Sequence, residues 1–134
     1  MKIIFISLII FSITSAKAQL PPVFDAGVAF NSICCGPPDE SFLKAFMSCK
    51  DYKLIKAYKA AGCGREGEFR VLFSFKGVKP SLAKKFLKRL KNKVIKQDAI
   101  NKSKNTSSGN LEVLQNIKKE ELDNCRSGII PWKK

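Results

Sequence analysis

Histidine is absent from the chain, which excludes every mechanism that needs an imidazole as general base, proton shuttle or metal ligand. Acidic side chains are scarce as well: 11 Asp and Glu stand against 25 Lys and Arg, for a formal net charge of +14. No stretch reaches the ~20 consecutive apolar residues that a bilayer-spanning helix needs; the longest, Ile3 to Ile13, covers 11. No internal repeat is present, so a solenoid is not expected. With 134 residues the chain fits one domain and leaves no room for a multidomain enzyme.

What the chain does have begins with an export pattern. Met1-Lys2 is a short positive start, Ile3 to Ile13 is apolar, and Ala16-Lys17-Ala18 is the small-x-small sequence after which signal peptidases cut. Residues 1–18 therefore read as a signal peptide, and the expected mature chain holds 134 − 18 = 116 residues with 23 basic and 11 acidic side chains, a net +12. The expected location is secreted or periplasmic. Five cysteines remain in that part: Cys34, Cys35, Cys49, Cys63 and Cys125. In an exported protein the default reading is disulfide bridges, and an odd count leaves one thiol over.

Val23 to Ile33 reads as a strand, broken by Cys34-Cys35-Gly36-Pro37-Pro38. Asp39 is a good N-cap for a helix over about 40–50 with Phe42, Leu43, Phe46 and Met47 on one stripe. Residues 53–61 and 68–76 read as strands; in the second, Phe69, Val71, Phe73 and Phe75 alternate with a largely polar set. Gly62, Gly64 and Gly67 between them suit a hairpin turn. From Ser81 to Gln97 the residues sort by angle. Leu82, Ala83, Phe86, Leu87, Leu90 and Val94 share an arc of about 140° at 100° per residue, opposite Lys84, Lys85, Lys88, Arg89, Lys91 and Lys96.

Residues 98–109 are small, polar and basic, the composition of a flexible linker. Asn110 then caps an expected last helix with Leu111, Leu114, Ile117 and Leu122 inward, within a C-terminal helix and tail over 110–134. The expected architecture is α+β: a ferredoxin-like split βαβ two-layer sandwich (β-α-β-β-α) over 19–97 plus that C-terminal helix. In this topology the first loop and the hairpin share one end of the sheet, so the expected bridges are Cys34 or Cys35 to Cys63, and Cys49 to Cys125.

Several motifs invite a catalytic reading and each has a plainer one. The G-x-G-x-x-G at Gly62, Gly64 and Gly67 is followed by a strand, whereas a dinucleotide site needs a helix there. Ser81 to Lys84 matches S-x-x-K without its companion motifs. Glu66 and Glu68 sit at a hairpin tip beside Arg65 and Arg70, where both stay ionised, unlike an acid–base pair. The chain is therefore expected to be non-catalytic and to need no cofactor. An alternative class is a soft-metal or thiol-redox protein using Cys34, Cys35 and Cys63, because ferredoxin-like metal chaperones place cysteines in the same first loop. Those carry C-x-x-C, whereas adjacent cysteines point apart unless the peptide is strained.

Charge carries the most functional content. Lys76 to Lys104 holds eleven basic residues and one acid, Asp98. With the apolar arc packed on the sheet, Lys84, Lys85, Lys88, Arg89, Lys91 and Lys96 form a positive ridge that attracts an anionic polysaccharide, membrane headgroups or an acidic protein. Nucleic acid fits less well, because the ridge has no aromatic residue for stacking. A lysine-rich face that only keeps the protein in solution is the plain alternative, and an inhibitor or immunity-type module that blocks another protein is a third. Asn101 and Asn105 head N-glycosylation sequons in the expected linker.

Overall fold

The computed structural model describes residues 19–104 and 109–134; the expected signal peptide and the sequon at Asn105 lie outside the described residues. The chain is α+β: strand β1 (Val23–Phe30), helix α1 (Ser41–Met47), strands β2 (Lys56–Ala61) and β3 (Phe69–Ser74), helix α2 (Pro80–Ser103), and strands β4 (Leu111–Lys118) and β5 (Ile129–Pro131). Short 3₁₀ turns at Lys50–Tyr52 and Lys119–Leu122 follow α1 and β4. The five strands form one antiparallel sheet in the order β4-β1-β3-β2-β5.

Local signals explain the first half. The N-cap of α1 is Glu40, without a side-chain capping bond, and not Asp39 as expected; Asp39, one residue earlier, accepts the Ser41 N–H at 3.1 Å, satisfying one of the donors that a helix start leaves open. Glu40 ties α1 to β2 through Lys59 at 2.8 Å, and the same ammonium lies 4.0 Å above the Phe69 ring. The hairpin between β2 and β3 turns through Gly62 and Gly67, both in the left-handed region at φ 67° and 82°, where glycine carries no Cβ penalty.

On one side of the sheet lies the larger core. Ala26, Val28 and Phe30 of β1 and Val71 and Phe73 of β3 meet Leu43 and Met47 of α1 and Phe86, Leu90 and Val94 of α2. Phe86 is its centre, with the rings of Tyr52, Phe73, Phe46 and Phe75 at 4.9, 5.2, 5.4 and 5.5 Å. Aromatic pairs at such separations add to the area they bury.

The expected C-terminal helix is a strand. Leu111, Leu114 and Ile117 are spaced by three, which mimics one helix face, but here the spacing comes from a reversal of side-chain alternation within β4. Leu111 and Val113 pack toward the helices, while Leu114 and Ile117 pack on the opposite side. Between them Asn116 stands at φ 51°. Its partner strand reverses at the same level: Phe24 faces away from the helices and Ala26 toward them, on either side of Asp25. The Asp25 carboxylate accepts the Phe75 N–H at 2.6 Å. Asn110 is no N-cap; its carbonyl accepts the Asn31 N–H at 3.0 Å.

The expected linker also shrinks, because α2 continues to Ser103. Gln97 donates to Asn101 at 3.0 Å, Lys102 pairs with Asp98 at 2.7 Å, and Asp98 accepts the Leu111 N–H at 2.9 Å. These polar bonds hold the last turns in place without an apolar stripe, which is why periodicity alone stops the helix early. Asn101, expected in an exposed loop, is buried in this turn.

The second side of the sheet carries a smaller core of Phe24, Leu72, Ala60 and Ile117, closed by Leu122 and Cys125. Gly27 sits in a tight place there: a Cβ would stand 3.0 Å from the Val71 carbonyl oxygen and 3.2 and 3.3 Å from Leu72 and Ile117, so these neighbours would have to give way slightly. The chain then returns along β2, with Arg126 and Ser127 N–H donating to the Gly62 and Ala61 carbonyls, both at 3.2 Å, and adds β5. Trp132, which would serve as an interfacial anchor if the tail detached, is instead buried in the larger core. Lys134 holds it down by donating to the Tyr52 and Ile55 carbonyls at 3.0 and 2.7 Å.

Candidate anion-binding face and cysteine sites

Helix α2 begins with Pro80 at its first turn, a position whose missing N–H costs nothing. It has 24 residues, about 36 Å at ~1.5 Å per residue. Phe86, Leu90 and Val94 are buried, and Lys84, Lys85, Lys88, Arg89, Lys91 and Lys96 are all exposed. Leu122 and Cys125 of the C-terminal segment cover the other side of the sheet, Trp132 enters the larger core, and the six ridge residues stay exposed. Among the described residues the ion pairs join Lys44 and Lys59 to Glu40, and Lys102 to Asp98. None involves the six ridge residues, so their charges are not neutralised internally.

Two clefts flank the helix. Beside α1 a cleft of about 350 Å³ has Phe46, Cys49 and Tyr52 as its floor and Arg89, Lys93 and Lys96 as its rim. The Arg89 guanidinium donates to the buried Tyr52 hydroxyl at 3.5 Å, and this hydrogen bond raises the Arg89 pKa above its ordinary value. Lys93 belongs to this cationic set and was not among the residues expected there; at 100° per residue it falls at the margin of the apolar arc, where angle alone does not sort it. Toward β4 a second cleft of about 540 Å³ is lined by Lys91, Val94, Ile95, Lys102, Leu111 and Val113. Ile95 is 67% exposed and is the apolar interruption in the otherwise charged face.

The cysteines pair differently from the sequence expectation. Cys63 is bridged to Cys125 across 62 positions of sequence. Neither Cys34 nor Cys35 joins Cys63, and Cys49 does not join Cys125. Cys49 packs against the helix-side core and Cys125 within the opposite one, so the sheet separates them. The first loop and the hairpin do share one end, with Pro37 3.9 Å from where a Gly67 Cβ would lie. Cys63 nevertheless points beneath the sheet, where the segment after β4 delivers Cys125. This bridge also removes Cys63 from the three-thiolate metal site considered with Cys34 and Cys35. Among the described residues no group of three Cys, Asp or Glu side chains stands together to hold a metal ion.

Cys34 and Cys35 are exposed and their sulfurs are 2.8 Å apart, with the Cys35 thiol donating to Cys34. Cys35 and Gly36 lie consecutively in the left-handed region at φ 69° and 100°. This hydrogen bond, reinforced by the nearby Cys34 charge, raises the Cys35 thiol above its ordinary value.

The glycine-rich hairpin supplies its own anion. Glu68 accepts the Glu66 N–H at 2.9 Å and folds against Gly64, where any Cβ would collide with its carboxylate. The turn reading therefore holds, and a bound phosphate would meet a like charge. Ser81 is an exposed first-turn residue and Lys84 an exposed ridge residue, without the enclosure that an acylating serine–lysine pair needs. Comparisons with models of protein families, with curated proteins and with solved structures find no match to this chain. No helix among the described residues is long and apolar enough to cross a membrane, and the Cys63–Cys125 disulfide is compatible with an extracytoplasmic location.

Proposed function

We propose that this chain is an exported, non-catalytic binding module that docks on an anionic surface through the open face of α2. The observation that carries the reading is that Lys84, Lys85, Lys88, Arg89, Lys91 and Lys96 are exposed together on one helix whose opposite side is buried, and among the described residues no carboxylate forms an ion pair with them. A ridge of this kind raises the local concentration of a polyanion and loses its hold as salt screens it. A polysaccharide or headgroup surface fits better than nucleic acid, because the exposed apolar residue within the ridge is Ile95, and the rings beside the charges, Phe46 and Tyr52, are packed in or against the core and do not stand free for stacking. The sheet order β4-β1-β3-β2, with α1 and α2 packed on one side, supports a ferredoxin-like split βαβ arrangement to which β5 adds an edge. In that arrangement the strand order itself keeps the outer face of α2 toward solvent.

The test replaces Lys84, Lys85, Lys88 and Arg89 together by Gln. The variant is expected to melt within about 0.5 kcal/mol of the parent and to lose retention on heparin and on vesicles with anionic headgroups at low salt. Unchanged retention on both matrices overturns the reading.

A further inference from the structure

We propose that Cys34 and Cys35 form a two-electron dithiol–disulfide couple, an exchange site that external disulfides oxidise by closing a bridge between these two neighbouring residues. The proposal stands apart from the α2 face and rests on the loop geometry. Adjacent residues in a trans chain have Cα atoms about 3.8 Å apart, below the ~4.4–6.8 Å usual for bridged cysteines, and their side chains ordinarily diverge. Here the consecutive left-handed residues Cys35 and Gly36 turn the backbone and bring the sulfurs to 2.8 Å, some way short of the ~2.05 Å bond of a disulfide. The left-handed region is uncommon for a cysteine and open to glycine. A Cβ on Gly36 would meet nothing within 4 Å, so the glycine serves the turn and not the packing. Ser32 steadies the loop by donating to the Cys34 carbonyl at 3.0 Å. Both thiols face solvent, whereas Cys49 is half-buried and Cys63 and Cys125 are already bridged.

The hydrogen bond from the Cys35 thiol stabilises Cys34 as the thiolate, which makes Cys34 the attacking sulfur. With an external disulfide RS–SR, the Cys34 thiolate forms a new S–S bond to one sulfur and expels the other as RS⁻. The Cys35 thiol then passes its proton to the departing thiolate through solvent, attacks Cys34 Sγ, breaks the mixed bridge and expels the second RS⁻. In total the two cysteines give up two electrons and two protons, and the external disulfide becomes two RSH. A bridge closed between neighbours lies outside ordinary disulfide geometry, and such bridges reopen readily by the reverse exchange. The co-reactant class, a small-molecule or protein disulfide, is what an oxidising compartment provides.

The experiment incubates the full chain, with its Cys63–Cys125 bridge intact, with oxidised glutathione, then quenches by alkylation and weighs the peptide that carries Cys34 and Cys35. The expected product has lost two hydrogens and carries neither glutathione nor alkyl groups, and dithiothreitol restores both alkylation sites. Cys35→Ser is expected to trap a single glutathione on Cys34, and Cys34→Ser to slow the first adduct about tenfold through a smaller thiolate fraction. Two glutathiones on the parent peptide, an interchain link through either cysteine, or a peptide that stays fully alkylated would each overturn the couple. Equal rates for the two variants would overturn Cys34 as the attacking sulfur.

Discussion

On the helix side of the sheet, Phe30, Val71 and Phe73 meet Phe86, Leu90 and Val94 of a long amphipathic helix, together with a second helix and the ring of Tyr52. On the other side, Phe24, Leu72 and Ile117 meet Leu122 and Cys125, which come from a 3₁₀ turn and the coil after it. A helix brings its own stripe of side chains and buries enough apolar area to hold itself in place. A four-residue turn does not, and on this side a covalent link between Cys63 and Cys125 fastens the cover. Noncovalent packing and cross-linking thus divide the two faces between them, in a domain whose size gives it modest stability.

The sharpest way to break this division is to empty the first core. Phe86→Ala removes a fully buried ring with four aromatic neighbours, and is expected to cost about 3–5 kcal/mol. Urea titration reads the loss directly. A shift below about 1 kcal/mol would mean that α2 does not carry the helix-side core.

The double variant Cys63→Ser/Cys125→Ser comes next, at about 2–4 kcal/mol. Its effect is expected to be uneven: amide-exchange protection should fall first over Lys119–Leu122, the coil after it and β5, while β3 and α2 keep theirs until global unfolding. Equal loss of protection on both sides would contradict the assignment of the bridge to one face.

The two faces also differ in how far they were legible in the sequence. The main elements of the helix side announced themselves through period: Phe69, Val71, Phe73 and Phe75 at two, and Phe86, Leu90 and Val94 at four. The exposure of the ridge lysines followed from the same angles. The second face was not legible, because its residues break period. Leu111, Leu114 and Ile117 imitate a helix only because the alternation of β4 reverses near Asn116, and no local preference of asparagine for a left-handed turn announces that a strand continues past it. The bridge was misassigned for a related reason. Topology placed Cys63 at the correct end of the sheet, but which face it pointed to depended on the segment that followed an element misread as a helix. The approach of Cys34 to Cys35 needed two consecutive positive φ values, of which only Gly36 gave a hint.

The smallest of these effects is pH-dependent and belongs to the joint between α2 and β4. Partial burial works against ionisation of Asp98, yet the Lys102 ammonium and the Leu111 N–H lower its pKa below the ordinary 3.8. A carboxylate whose pKa is depressed in the folded state stabilises the fold above its unfolded value, and that contribution disappears as pH falls through the folded one. Asp98→Asn is therefore expected to cost about 1 kcal/mol at about pH 7. The gap to the parent should close as the pH falls below the ordinary carboxylate value and through the lowered folded one. Glu40, lowered in the same direction by Lys59 and Lys44 despite its burial, is present in both chains and cancels from the difference. Urea midpoints across this range test the sign: a gap that stays constant in acid would show that Asp98 contributes only packing and shape, and that the joint between helix and edge strand is held by Val94 and Leu111 without help from its charge.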